Sequence, residues 1–470
     1  MHRVSALALA TLLGGCQLAP PHERPRLPTA SDYPAAFAGD VTLGRRAADI
    51  GWRDFFADPQ IELLVATALE RNRDLAVAVA RIEEARGLYR IQAADRLPTL
   101  GATSDTISSR VQTGTAGAPG GASDTSTLYS VGVGVTGFEL DFWGRVRNLS
   151  DAARAQYLAT VQAERAFRLA LIRDVASAYF SAREAEERIA LAEATVRSRQ
   201  EGLRIARRRL DAGVTSALDF RQAESLLTQA ETERAGLRLA KARSDNFLAM
   251  LVGGIVPAPL PAPLPLASQK GAPIAAGLPS ELMAARPDIV AAEERLRAAR
   301  ANIGAARAAF FPSISLTGNF GFASTSLGDL VGDNGLGWNF GPSISLPIFD
   351  WGARRGNLDV AKAREDIAVA QYELAVQQAF REVADALAGR RWLAEQVAAQ
   401  LRATEAQRQI ASLARTRYRE GVANYLEVLD AERNLFAAEQ ALIQLRRIEL
   451  DNLVSLYVAL GGGTIEKRVP

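Results

Sequence analysis

Two runs without proline constrain this chain more than any other feature. No proline lies between Pro119 and Pro257, and only Pro470 follows Pro347. Inside them, Gly144 to Ala212 and Gly352 to Glu420 each run for 69 residues rich in Ala, Leu, Arg, Glu and Gln. These are strong helix formers. A continuous helix of that size is ~100 Å long at 1.5 Å per residue, whereas helices of compact domains average about 11–12 residues. The runs are rods rather than core helices. Gly213 and Gly421 stand where a left-handed C-cap ends a helix, and a shorter return helix follows each turn.

The second return helix shows how such rods associate. Leu429, Phe436, Ile443, Leu450 and Tyr457 recur every seventh residue, flanked by Val428, Leu435, Leu442 and Leu456, with Glu449 interrupting the column. A seven-residue repeat predicts side-by-side, coiled-coil packing. Ala431 and Ala438 on its flank allow close approach.

The chain is a duplication. Leu97-Pro98-Thr99-Leu100 matches Phe311-Pro312-Ser313-Ile314, Trp143-Gly144 matches Trp351-Gly352, and Asp211-Ala212-Gly213-Val214 matches Arg419-Glu420-Gly421-Val422, in the same order. Each half reads as helix, strand, strand, very long helix, turn, helix. The expected organisation is a signal segment at 1–15, an N-terminal tail at 16–58 and a first repeat at 59–253. A Pro-rich connector at 254–285, a second repeat at 286–461 and a C-terminal tail at 462–470 complete it. Strands are expected within 97–143 and 312–350.

The strand signal is an alternation of apolar with small or polar residues. Tyr129, Val131, Val133 and Val135 alternate with Ser130, Gly132 and Gly134; Trp338, Phe340, Ile344, Leu346 and Ile348 alternate with Asn339, Gly341, Ser343, Ser345 and Pro347. One apolar and one wet face suits a water-filled barrel in lipid, or a soluble sheet with one solvated side. Phe320, Phe322, Trp338, Trp143 and Trp351 lie towards strand ends, where aromatic girdles form. The runs 114–126 and 324–337 are expected to be extracellular loops. Four strands cannot close a barrel, since about eight are the usual minimum, and open edges in lipid leave backbone groups unpaired. Other copies must complete it, as a dimer of eight strands or a trimer of twelve.

The N-terminus carries its own address. Met1-His2-Arg3 precedes an apolar run from Val4 to Leu13. That is too short to span a bilayer, which takes ~20 residues, and it reads as a secretory signal. Leu13-Gly14-Gly15-Cys16 resembles a lipobox, making Cys16 the site of lipidation. Cys16 is the only cysteine, and the two histidines are His2 and His22. A thiol nucleophile, a packed His base and a His/Cys metal cluster are all excluded. No catalytic residue, cofactor site or metal site is expected, and a formal net charge of +2 points away from nucleic acid.

These features together resemble the TolC-like outer-membrane efflux family, in its OprM-like lipoprotein branch. The motifs that carry the resemblance are Gly51-Trp52-Arg53-Asp54-Phe55-Phe56 with Asp58-Pro59, Arg286-Pro287-Asp288-Ile289, Phe311-Pro312-Ser313, and the run from Gly421 to Glu432. The resemblance implies a mainly α fold with a membrane β-barrel. Three copies would share twelve strands, with the long helices forming an α-barrel tunnel through the periplasm. It implies three partners besides outer-membrane lipid: a second and third copy of the chain, a periplasmic adaptor, and an inner-membrane RND-type transporter. The expected activity is passive export of drugs or other small molecules. An export duct for proteins or metal ions, and a non-channel adaptor lipoprotein, are the rival readings.

Leu426, Glu427 and Asp430 share one helix face just past the turn, away from Val428 and Leu429. Repeated by threefold symmetry they would make an apolar constriction and carboxylate rings, and the resemblance puts a periplasmic gate there too. Their first-repeat counterparts are Leu218, Asp219 and Gln222, so the Asp430 ring would hold three carboxylates. Ala423 stands where some relatives carry an arginine that ties the tip to the position of Asp219. Arg415 and Arg417 are the candidates to replace it.

Overall fold

The structure, a computed structural model, describes residues 17–26, 29–30, 33, 45–113, 122–275, 281–332 and 335–465. In the first repeat, α1 (Pro59–Arg71) and α2 (Arg73–Ala94) lead to β1 (Leu100–Thr113) and β2 (Ala122–Glu139), then to α3 (Arg145–Asp211) and α4 (Ala217–Leu251). In the second, α5 (Pro287–Ala308) leads to β3 (Ser313–Ser324) and β4 (Leu336–Ser345), then to α6 (Ala353–Arg419) and α7 (Tyr425–Ala459). The long helices α3 and α6 have 67 residues each and the return helices α4 and α7 have 35 each. The duplication is therefore kept to the residue in these helices, while the strands differ in length.

Two compact units cut across these repeats. One comprises Met1–Pro25, Arg81–Thr160 and Ala291–Tyr372; the other comprises Arg26–Ala80, Val161–Val290 and Glu373–Pro470.

The first unit holds a four-stranded antiparallel sheet in the order β1-β2-β3-β4. Register decides its faces. Ala102, Val133, Phe320 and Trp338 form one row across the four strands, and Ser104, Val131, Phe322 and Leu336 form the next. On the opposite face the matching rows are Thr103, Gly132, Gly321 and Gly337, then Gly101, Gly134, Asn319 and Asn339. One side is apolar and exposed; the other is small and polar. A register shift between Val135 and Phe138, with Gly137 at φ 76°, bends the β2–β3 ladder, as bulges do in curved sheets.

Two expectations need correction here. The ladder between β1 and β2 continues to Thr113 and Ala122, so residues 122–126 belong to a strand rather than a loop; 114–121 lie outside the described residues. Trp143 is no lipid-facing girdle residue. It stacks on Phe311 at 4.6 Å and donates Nε1–H to the Pro312 carbonyl at 2.8 Å.

The N-terminal tail runs along α5 in the same unit. Arg307 donates to the Leu18 carbonyl at 2.9 Å and Arg300 to the Glu23 carbonyl at 2.6 Å. Glu293, only 4% exposed, takes His22 at 3.0 Å and Arg24 at 3.1 Å. Burial alone pushes the Glu293 carboxyl up, but the hydrogen bonds from Arg24 and His22 and the charges of Arg24 and Arg297 outweigh it and hold it below the usual range.

In the second unit the heptad column buries Leu429, Leu450 and Tyr457, with Val428, Leu442 and Leu456 beside them. Ala431 packs in a cluster with Ala411, Ala414 and Val428. The Ala438 carbonyl accepts from Gln400 at 3.0 Å, so the small flank does bring two helices together. Asp58 is wholly buried. It caps α1 through Gln60 N–H at 2.9 Å and also accepts from Tyr179 at 2.6 Å, Gln269 at 2.5 Å and Leu264 N–H at 3.2 Å. Asp58 thereby pins the proline-rich connector to α1 and α3. Arg286 donates to the Ala459 carbonyl at 3.1 Å and pairs with Asp288 and Glu382, setting a cation on the last turn of α7 where the helix dipole favours it.

Candidate functional site at the helix turns

Both long helices end in the same way. Gly213 sits at φ 71°, its N–H bonded to Leu210 O, while Val214 N–H reaches Arg209 O, both at 2.9 Å. Gly421 sits at φ 75°, its N–H on Tyr418 O at 3.1 Å, with Val422 N–H on Arg417 O at 3.0 Å. This paired pattern is the Schellman C-cap. Each return helix then opens on a side-chain cap. Ser216 and Asp219 form a capping box on α4, and Asn424 accepts from Glu427 N–H at 3.0 Å on α7.

These caps fix where the expected gate residues stand. Val428 and Leu429 are buried, while Leu426 is 46% and Leu218 65% exposed. Leu426, Glu427 and Asp430 lie on the face turned away from the packed stripe. Their charges are already engaged within the chain. Glu427 pairs with Arg417 at 3.2 Å, Asp430 with Arg433 at 3.1 Å, and Arg415 with Glu432 at 2.8 Å. Asp219 accepts from the Thr215 hydroxyl at 2.6 Å and from Ser216 N–H. Those bonds, the Thr215 hydroxyl first, hold its carboxyl below the ordinary range. The two arginines expected to tie Asp219 therefore serve Glu432 and Glu427 instead.

Sequence reasoning missed the seam beside these residues. A Cβ on Gly202, in α3, would come within 2.5 Å of the Tyr425 hydroxyl on α7. Tyr425 lies 5.2 Å from Tyr418, whose hydroxyl takes a hydrogen bond from Arg209. Burial pushes the Tyr425 phenol up to about 12. Deeper in the seam, Arg199 is 6% exposed, donates to Leu226 O at 2.6 Å and stands over the Phe436 ring at 5.8 Å. Desolvation pulls its guanidinium down. The available signal was Gly202 itself: a glycine inside a helix costs about 1 kcal/mol relative to Ala, so its presence points to close approach. Among the described residues no group of three His, Cys, Asp or Glu is placed to hold a metal, and no helix is long and apolar enough to cross a membrane.

A sheet with one apolar face, whose two outer strands lack a further partner among the described residues, has the form of a subunit's share of a membrane barrel. The chain belongs to the outer membrane efflux protein family, whose profile matches residues 64–254 and 278–462. The toluene efflux pump outer membrane protein TtgC of Pseudomonas putida is 42% identical to it, over 99% of this chain and 96% of that one. The cation efflux system protein CusC of Escherichia coli is 40% identical over 97% of this chain and 98% of that one. Among solved structures, the open state of the Neisseria gonorrhoeae MtrE outer membrane channel matches with a TM-score of 0.88 at 40% identity. It covers 97% of this chain and all of that one.

Proposed function

We propose that three copies of this chain form the exit channel of a tripartite efflux pump, passing small organic molecules from a periplasmic adaptor and an inner-membrane RND-type transporter to the outside. The observation that carries this reading is the open sheet. Its four strands leave β1 and β4 without outer partners among the described residues, and in lipid such edges must be closed by neighbours. A trimer makes twelve strands. Exposed Leu88 and Ile91 on α2, and Val360 and Ile367 on α6, extend the unsatisfied edges into the helices. Leu426, with Leu218, forms the apolar constriction of the closed duct; Glu427, Asp430 and Asp219 ring it with carboxylates, and Gly213 and Gly421 are the turns that present them. Cys16 carries the lipid. It lies outside the described residues, but the tail that follows it is clamped to Arg307 near the end of α5, a few residues before β3 enters the membrane.

A metal-ion duct is the second reading, favoured by the acidic ring and by the relative named as a cation efflux protein. Growth of a strain lacking its own exit channel separates the two. With this chain supplied, resistance to organic solvents and antibiotics should return. Restored tolerance of metal salts with none to organic compounds would reverse the order, and no rescue of either would sink the proposal.

A further inference from the structure

The two repeats meet inside the chain at a joint below the sheet. Trp143, at the exit of β2, stacks on Phe311 with ring centroids 4.6 Å apart and planes 21° apart. Its Nε1–H bonds the Pro312 carbonyl at 2.8 Å. Just above, Leu140 N–H bonds the Ile314 carbonyl at 2.8 Å, prolonging the β2–β3 ladder. This joint binds the end of the first strand pair to the start of the second.

Duplication gives every part of it a counterpart. Trp351 matches Trp143 and Ile348 matches Leu140, at the exit of β4; Leu97, Pro98 and Leu100 match Phe311, Pro312 and Ile314, at the entry to β1. None of these counterparts meets its mate within the chain, because they lie at opposite edges of the sheet. Trp351 is 90% exposed, Ile348 92%, Leu100 77% and Leu97 69%. Trp351 also sits at φ 55°, a conformation rare and costly for a bulky residue. Its ring meets that of Phe349 edge-on at 4.6 Å, but Phe349 is itself exposed, so an aromatic pair held in that conformation with most of its surface bare is half of a contact.

We propose that the missing half is the next copy of the chain: Trp351 of one copy seats on Leu97 and donates Nε1–H to the Pro98 carbonyl of its neighbour, while Ile348 N–H bonds the neighbour's Leu100 carbonyl. The interface thus repeats between chains the joint already built within one. It rests on the several-copy barrel proposed above and names the contact that sets its register. One difference follows from the sequence. Glu139 and Arg145 form an ion pair beside the internal joint, on its first-repeat side, whereas Pro347 and Ala353 occupy those positions at the external one. The contacts that cross the internal joint are a ring stack and hydrogen bonds to carbonyls, so its counterpart between copies has little sensitivity to salt.

The test uses the full chain in detergent. Ile348→Cys with Leu100→Cys, exposed to copper phenanthroline, should give a ladder of covalent dimers and trimers that neither single substitution gives. Separately, Trp351→Ala should lower the melting temperature of the oligomer by about 3 °C or more, with Trp351→Phe recovering part of the loss. Native mass measured on the same samples separates the failures. A trimeric mass without the ladder, or with Trp351→Ala melting like the parent, overturns the joint and leaves the trimer standing. Strong quenching of Trp351 by brominated lipid has the same meaning, since the ring would then face the bilayer. A monomeric mass overturns the joint together with the barrel beneath it.

Discussion

Glu427 and Asp430 each have an arginine of their own chain within 3.2 Å, Arg417 and Arg433 respectively, so the acidic rings proposed above would be partly neutralised before any neighbour contributes. Half-exposed pairs of this kind are worth at most about 1 kcal/mol and weaken with salt. In the proposed gate the resistance of the closed tip to ions would then fall mainly on Leu426, through dewetting of an apolar constriction. Single-channel recording in planar bilayers should find the Leu426→Ala, Glu427→Ala, Asp430→Ala variant leaky at rest. Leu426→Ala alone should supply most of the leak, and the two carboxylate changes mainly reduce cation preference. A triple variant with the parent's conductance would show that the gate lies elsewhere. A second residue-level effect sits far from the tip. Asp451 shares Arg447 with Glu184, yet its Oδ1 has no hydrogen-bond partner, and burial, working against Arg447, raises its carboxyl to about 6. The unfolded chain releases that proton near pH 4, so the folded state binds the extra proton between about pH 4 and 6. Stability must fall as pH rises through that window and stay lower above it. Asp451→Asn should therefore stabilise by on the order of 1–2 kcal/mol at pH 7.5, with the advantage gone below pH 4. Melting curves showing the same difference at both values would contradict this.

The elements differ in what a glycine does for them. At Gly421 a Cβ meets nothing within 4 Å, but φ is 75°. Gly421→Ala therefore pays only the left-handed backbone, about 1 kcal/mol. Hydrogen exchange should quicken around the turn between α6 and α7 while the rest of both helices stays protected. Gly236, inside α4, also has open space and lacks the left-handed φ; Gly236→Ala should stabilise by about 0.5–1 kcal/mol. If both substitutions moved stability in the same direction, the C-cap assignment would be wrong. The long helices were legible in the sequence because helix propensity summed over 69 residues and unbroken by proline leaves no competing structure. The strands were legible because period-two alternation survives wherever one face is apolar. Other features were not. Asp58 gathers partners from Tyr179, Leu264 and Gln269, and no local pattern marks a buried carboxylate whose donors lie more than a hundred residues away. Trp143 illustrates a different limit. Alternation places an aromatic at a strand end but does not say whether lipid or the neighbouring strand covers it. At the tip, the exposure of Leu426 and the burial of Val428 and Leu429 followed from helical rotation, while the engagement of Glu427 by Arg417 depended on the opposing helix.

At the scale of the whole molecule, the function proposed above gives the chain two holds on the membrane, and they are of different kinds. The lipid on a lipobox cysteine is a diacylglyceryl thioether, and its two acyl chains anchor stably, yet they fix only the end of a tail. Four strands per copy, closed by neighbours, would pair their backbone donors and acceptors in a ladder whose apolar outer face cannot leave lipid without being exposed to water. The tail between these holds is itself secured, through Arg307 to Leu18, Arg300 to Glu23, and Glu293 to His22 and Arg24, so its position would owe little to a lipid on Cys16. Removing the acyl group should then change the biochemistry of the tail without releasing the channel. Cys16→Ser is expected to lose labelled palmitate entirely, yet to fractionate with the outer membrane and migrate as a heat-modifiable oligomer. Adding Glu293→Gln to that variant should free the tail to proteases at residues 17–26 and still leave the barrel in place. If the Cys16→Ser protein instead appeared as soluble periplasmic monomer, the anchor would be the principal hold, and the open sheet would have to find its partners somewhere other than in a closed ring of its own copies.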